Sequence, residues 1–185
     1  MRVDELIAEA LKRAGVEHVF SLMGDGNLGL VVALAQRGVT IVQARTEQGA
    51  VAMADGYARV RGRVGVCTVT QGPGLSQVGT SLASARGHAA PVLLVAGAPP
   101  LADPGAANGF DQVAFARACG AQAETVLSPR RAGAMLRDAF GRAAWGGPVV
   151  LNLPTDVAAA DAGVAPPPDL RPCNPPPAVP PAGEL

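Results

Sequence analysis

Cysteine is scarce and poorly spaced for chemistry. Cys67, Cys119 and Cys173 are three in number and lie far apart, which excludes a disulfide framework and a metal-binding knuckle and makes a reducing cytoplasm the expected compartment. An excess of charge of either sign is also lacking. Fifteen basic residues balance fifteen acidic ones, and no basic run exceeds Arg130-Arg131, so the footprint of a dedicated nucleic-acid binder is missing. Long apolar runs are absent as well, and no membrane span is expected. The start, Met1-Arg2-Val3-Asp4-Glu5, turns acidic at once and has no apolar signal-peptide core behind it. Lysine is reduced to Lys12 against fourteen arginines, a habit of composition that carries no function. What is left is a length of 185 residues, enough for one domain burying about 70% of its unfolded surface.

Two kinds of apolar segment alternate through most of this length. Val3, Leu6, Ile7, Ala10, Leu11 and Ala14 recur at helical spacing, and Gly15 follows as a cap. The same reading predicts helices over 28–36, 47–61, 75–86, 111–118 and 129–144. Short strands are predicted at 18–22, 39–43, 64–70, 91–96, 125–127 and 148–154, several of them uniformly apolar. Such alternation predicts an α/β domain: a doubly wound, mainly parallel six-stranded sheet with helices on both faces. The domain is expected to span 1–161. Residues 162–185 hold Pro166 to Pro168, Pro172, Pro175 to Pro177, Pro180 and Pro181, and read as an extended linker or tail with few contacts of its own. In such sheets ligands sit outside the carboxyl ends of the strands. The positions to examine are therefore 23–27, 44–48, 71–74, 97–100 and 154–156.

One motif there is a false friend. Gly24-Asp25-Gly26-Asn27-Leu28-Gly29 satisfies the dinucleotide fingerprint between a strand and a helix, with Glu47 at a suitable distance. Asp25, however, places a negative charge where a pyrophosphate would sit, and Glu47 falls past the strand end. A dinucleotide-binding domain is thus the weaker alternative.

Glu47 opens a helix directly after a strand, in Arg45-Thr46-Glu47-Gln48-Gly49-Ala50. Any helix favours an acid there through its dipole, so the company it keeps decides. Ala54-Asp55-Gly56-Tyr57-Ala58-Arg59 follows. Gly72-Pro73-Gly74 ends the next strand, Phe110-Asp111-Gln112-Val113 comes later, and Leu153-Pro154-Thr155-Asp156-Val157 closes the domain. In this order the segments resemble the N-terminal pyrimidine-binding domain of thiamine-diphosphate-dependent enzymes, of the acetolactate synthase and benzaldehyde lyase kind, over residues 1 to about 160.

The resemblance implies a role for each matching position. Glu47 would be the catalytic carboxyl that hydrogen-bonds N1′ of the cofactor's aminopyrimidine, and its burial is expected to favour proton sharing. Gly72, Pro73 and Gly74 would line the cofactor, while Met23, Gly24 and Gln112 would face substrate; for Gln112 an exposed helical glutamine is the competing explanation. Gly24-Asp25-Gly26 copies the opening of the family's Mg-diphosphate motif, but no asparagine is placed to complete it, so no metal ligand is assigned. Mg²⁺ is expected only through a partner, a separate polypeptide carrying the diphosphate-binding domain, and the pair would act on a small 2-oxo acid. FAD is not read from this stretch, since its site would lie mainly in a following domain. Thr46 departs from the histidine that many relatives carry before the glutamate. A homodimer or hetero-oligomer is expected, packed on an Ala- and Gly-rich face of the 47–61 helix. The other class of reading is a non-catalytic scaffold subunit with a decayed enzyme fold.

Overall fold

A computed structural model describes residues 1–103, 109–163 and 166–170. Helices α1 (Val3–Arg13), α2 (Leu28–Gln36), α3 (Glu47–Arg61), α4 (Pro73–Ser76), α5 (Gly79–Gly87), α6 (Gln112–Ala118), α7 (Ala132–Ala144) and α8 (Thr155–Ala159) alternate with six strands. The strands are β1 (His18–Ser21), β2 (Thr40–Gln43), β3 (Gly65–Val69), β4 (Val92–Ala98), β5 (Gln122–Thr125) and β6 (Val149–Pro154). They form one sheet in the order β2-β1-β3-β4-β6-β5, and every pairing is parallel.

Side-chain alternation along the strands sorts the core into two layers. Val19, Val66, Leu93, Val95, Val149 and Leu151 face the layer of α1, α2 and α7. Phe20, Cys67, Val69, Leu94, Ala96 and Val150 face the layer of α3 and α5. The expected doubly wound α/β sheet is therefore present, and wholly parallel. Because β2 and β3 flank β1 on opposite sides, the connections out of β1 and back diverge there. That reversal opens a crevice outside the carboxyl ends of β1 and β3.

Local chemistry explains the element ends. Thr46 Oγ1 accepts a hydrogen bond from Gly49 N at 3.0 Å and caps α3, so this threonine starts the helix carrying Glu47. Gly62 ends α3 in the left-handed region at φ 62°.

The structure departs from the sequence expectations in four places. The single helix predicted over 75–86 is two, α4 and α5, joined through Gln77 and Val78, where Val78 N donates to Leu75 O at 3.1 Å in a tighter turn. The strand predicted at 125–127 lies at β5, where its partner is β6. Val126 turns into the core, Leu127 is exposed, and an Arg142–Glu124 ion pair borders the strand. After β6 the chain adds the short helix α8. The proline-rich segment is also less free of contacts than expected where it is described. Leu170 is only 2% exposed and belongs to the core beside α1 and α7. Pro172 to Pro181 and Cys173 lie outside the described residues.

Two glycines of α3 give opposite expectations. A methyl group on Gly56 or on Gly62 would meet no atom of the described residues within 4 Å. Gly56 is helical, so Gly56→Ala should stabilise the isolated chain by about 0.5–1 kcal/mol. Gly62 is left-handed, so Gly62→Ala should cost about 1–2 kcal/mol. Urea unfolding of the two variants against the parent chain checks both signs.

Candidate active site

The crevice is built from backbone brought close by missing side chains. A Cβ on Gly24 would lie 2.8 Å from Thr70 Cβ, and one on Gly97 would lie 2.5 Å from the carbonyl oxygen of Gly26. The turn after β1 therefore rests directly on the ends of β3 and β4. Asn27, buried, holds that turn. Its Oδ1 accepts from Gly24 N at 2.8 Å, and its Nδ2 donates to Leu22 O and Thr68 Oγ1, each at 3.2 Å. Gly26 N donates to Thr70 Oγ1 at 3.0 Å. Two amides that a pyrophosphate would need are thus engaged within the protein, and the dinucleotide reading loses its cradle.

Glu47 arrives from the opposite wall. It is the first residue of α3 and is half-buried, less enclosed than the sequence reading expected. Its carboxylate reaches across to the turn after β3. A Cβ on Gly74 would sit 3.5 Å from Glu47 Oε1 and 2.6 Å from Thr70 Cγ2, so only glycine fits. Gly72 has φ 58° and ψ −115°, a conformation open essentially to glycine. Pro73 opens α4, where its missing N–H costs nothing. Among the described residues Glu47 makes no hydrogen bond or ion pair, a carboxylate at the crevice with its acceptor capacity unused.

Gln112 is not the exposed helical glutamine that competed with the substrate-facing reading. It is 4% exposed, and its amide ties together three strand ends. Oε1 accepts from Gly72 N at 2.9 Å, and Nε2 donates to Gly97 O and to Asn152 Oδ1, each at 3.0 Å. The side chain therefore braces the Gly72 turn, at the start of α6, which Asp111 caps by accepting from Ala114 N at 2.9 Å. Gln112→Leu keeps the volume and strands three polar groups. It should lower stability by about 2 kcal/mol, and Gln112→Glu, which can accept but not donate, should recover only part of that in denaturant unfolding.

Met23, at the end of β1, is 49% exposed beside the turn and is no core residue. Asp156 fastens the far rim, accepting from Ala102 N at 3.1 Å and Val157 N at 2.9 Å. Desolvation pushes its carboxyl up, but amide donors from Leu101, Ala102 and Val157 outweigh that and hold it below the usual carboxylate value. Neither Asn27 nor Asp156 stood out as a site residue in the sequence, although both lie in strand-end segments. Among the described residues no three His, Cys, Asp or Glu side chains gather as a metal site, and no helix is long and apolar enough to cross a membrane.

The family model described as thiamine pyrophosphate enzyme, N-terminal TPP binding domain, matches residues 1–122. The chain belongs to this family. It is 39% identical over 157 residues to 2-hydroxyacyl-CoA lyase 2 of Bos taurus, covering 83% of this chain and 25% of that protein. It is 33% identical over 164 residues to the acetolactate synthase isozyme 2 large subunit of Escherichia coli, covering 86% and 30%. It is 34% identical over 163 residues to a protein named probable 2-ketoarginine decarboxylase in Pseudomonas aeruginosa, covering 84% and 29%. The chain thus spans between a quarter and a third of the length of these relatives. It is an N-terminal domain of the thiamine diphosphate enzyme kind.

Proposed function

We propose that this chain is the pyrimidine-binding half of a thiamine diphosphate-dependent decarboxylase or carboligase of the acetolactate synthase kind, with Glu47 as the carboxyl that activates the cofactor. The observation that carries this reading is the Glu47 carboxylate laid over Gly74, unpartnered among the described residues, in a crevice lined by glycine. Thiamine diphosphate, when bound, supplies an electron sink for making or breaking a bond next to a carbonyl.

The chain's own residues would then divide the work. Glu47 holds a proton for the ring nitrogen N1′, from a helix start that Thr46 fixes. Gly72 and Gly74 would let the backbone approach a flat ring, Gly72 through a conformation that favours glycine and Gly74 through its close contact with Thr70. Pro73 sets the turn, and Met23 and Gly24 lie on the substrate side. Gln112 acts as a positioning residue for Gly72 rather than by touching substrate. The donor set suits the pyrimidine end alone. Diphosphate and Mg²⁺ would be held by another polypeptide or by further domains, and the substrate would be a small 2-oxo acid in the cytoplasm.

The outward face of α3 fits such an assembly. Ala52 and Val60 are exposed and Gly56 half-buried, one helical turn apart. Among the described residues nothing requires a glycine at 56, so its small size would suit a closely packed partner, in a homodimer or a hetero-oligomer. Native purification from the source, with intact mass and cofactor analysis, tests the reading. Thiamine diphosphate retained together with a diphosphate-binding polypeptide or domain supports it. Recovery of the chain alone without cofactor would favour the scaffold subunit instead.

A further inference from the structure

Beyond the Glu47 crevice, the carboxyl ends of β4, β5 and β6 frame a second cavity of about 220 Å³. Pro100, Leu101, Phe110, Val113 and Pro154 give it apolar walls, and Gln112 and Asn152 also line it. The walls stand without a ligand. Asp103 N donates to Pro100 O at 3.1 Å, and Ala102 N donates to Asp156. Phe110 meets Phe115 edge-on, with ring centroids 5.6 Å apart. Leu101 and Phe110 nevertheless remain exposed, an apolar rim left open to solvent.

Asn152 supplies the detail that points to a ligand. It is 1% exposed, and the orientation of its amide follows from its neighbour. Gln112 Oε1 is engaged by Gly72 N, so Gln112 Nε2 is the atom that turns to Asn152, where Oδ1 accepts at 3.0 Å. The atom left over is Asn152 Nδ2, a buried donor that meets no acceptor among the described residues. Such a donor is costly to leave unmet, and an incoming acceptor would remove that cost. The charge of the acceptor is also constrained. Among the residues lining the cavity the one charged side chain is Asp111. A carboxylate or phosphate would therefore be desolvated there beside a like charge, with no cation to meet it. A neutral carbonyl oxygen on an apolar body suits the site.

We propose that this cavity binds a small, mostly apolar molecule through a neutral carbonyl oxygen that accepts from Asn152 Nδ2. The site lies beside the Glu47 crevice, since β6 is two strands along from β3, about 10 Å at the usual strand spacing. Occupancy would still be felt at the crevice, because Gln112 joins Asn152 to the Gly72 amide. The inference is independent of the role given to Glu47.

NMR of the isotope-labelled chain tests it, with 2-heptanone as the neutral probe and hexanoate as an anionic probe of similar size. 2-Heptanone should shift the Asn152 side-chain amide and the Gly72 backbone amide together, saturating in the low millimolar range expected of so small a ligand. Hexanoate should bind at least about tenfold more weakly. Asn152→Asp keeps the oxygen that Gln112 needs, removes the donor, and should lose the 2-heptanone response. Leu101→Trp fills the cavity from an exposed position that the fold does not depend on, and should lose the response as well. Absence of a saturable shift with 2-heptanone would overturn the proposal. So would equal or tighter binding of hexanoate, or an unaltered response in either folded variant.

Discussion

Glu47→Gln is expected to reduce the turnover of the complete, thiamine diphosphate-loaded assembly by about 10²- to 10⁴-fold, the range that loss of a general acid–base group produces. Stability of the chain should change by less than about 0.5 kcal/mol. The two expectations separate because of where the residue sits. Glu47 is the first residue of α3, half-buried, with no internal hydrogen bond or ion pair among the described residues. The fold therefore loses little when its charge goes, and the Thr46 cap that starts the helix is untouched. The amide of Gln fills the same space but cannot take up and return a proton. Turnover of the purified assembly, unfolding of the chain and retention of the cofactor should be measured on the same variant. A variant that turns over as fast as the parent would remove Glu47 from the mechanism. A variant that fails to fold would show the carboxylate to be structural.

Gly65→Ala should be the most damaging small substitution in the fold. A methyl group at this first residue of β3 would lie 2.1 Å from the carbonyl oxygen of Ala54 and 2.8 Å from its carbonyl carbon. Both contacts are to backbone in the middle of α3, so no side chain can rotate away. Gly65 N also donates to Pro91 O at 2.9 Å, which ties the strand in place. The helix must lift from the sheet, at a cost of about 3 kcal/mol or more, equivalent to about 6–12 °C in midpoint for a chain of this size. Because α3 carries Glu47, the same displacement should lower activity of the assembly even where the variant remains folded. Thermal unfolding checks the first effect, and a midpoint within two degrees of the parent would refute the close helix–strand contact.

Gly65 and Gly56 show why glycines could not be ranked from the sequence. Both lie in apolar surroundings of regular structure, yet one sits against backbone and the other against open space. The distinction depends on which elements touch, and that depends on the order of the strands. Gln112 makes the same point. Its place at the head of a short helix suggested an outward side chain or a substrate contact. The order β3-β4-β6 brings Gly72, Gly97 and Asn152 within reach of one amide. The β5 error has a related cause. Thr125-Val126-Leu127 looks like a strand by composition, but the ladder offered by β6 pairs Gln122 to Thr125 with Val149 to Asn152.

Elements defined by their own caps and periodicity were legible without the structure. The ranges of α2 and α3 agree with those predicted, since Gly38, Thr46 and Gly62 are local stops and starts. The sequence alone determined the alternation of helix and strand, the parallel α/β class, and the ordered motifs around Glu47 and Gly72 to Gly74 that mark the family. All of these are written in neighbouring residues, at a period of two or of three to four. Only the tertiary structure decided that Glu47 overlies Gly74, that Asn27 secures the first turn, and that Gln112 is a brace. These contacts join residues tens of positions apart, and the order of six strands, which no local periodicity encodes, sets which of them meet.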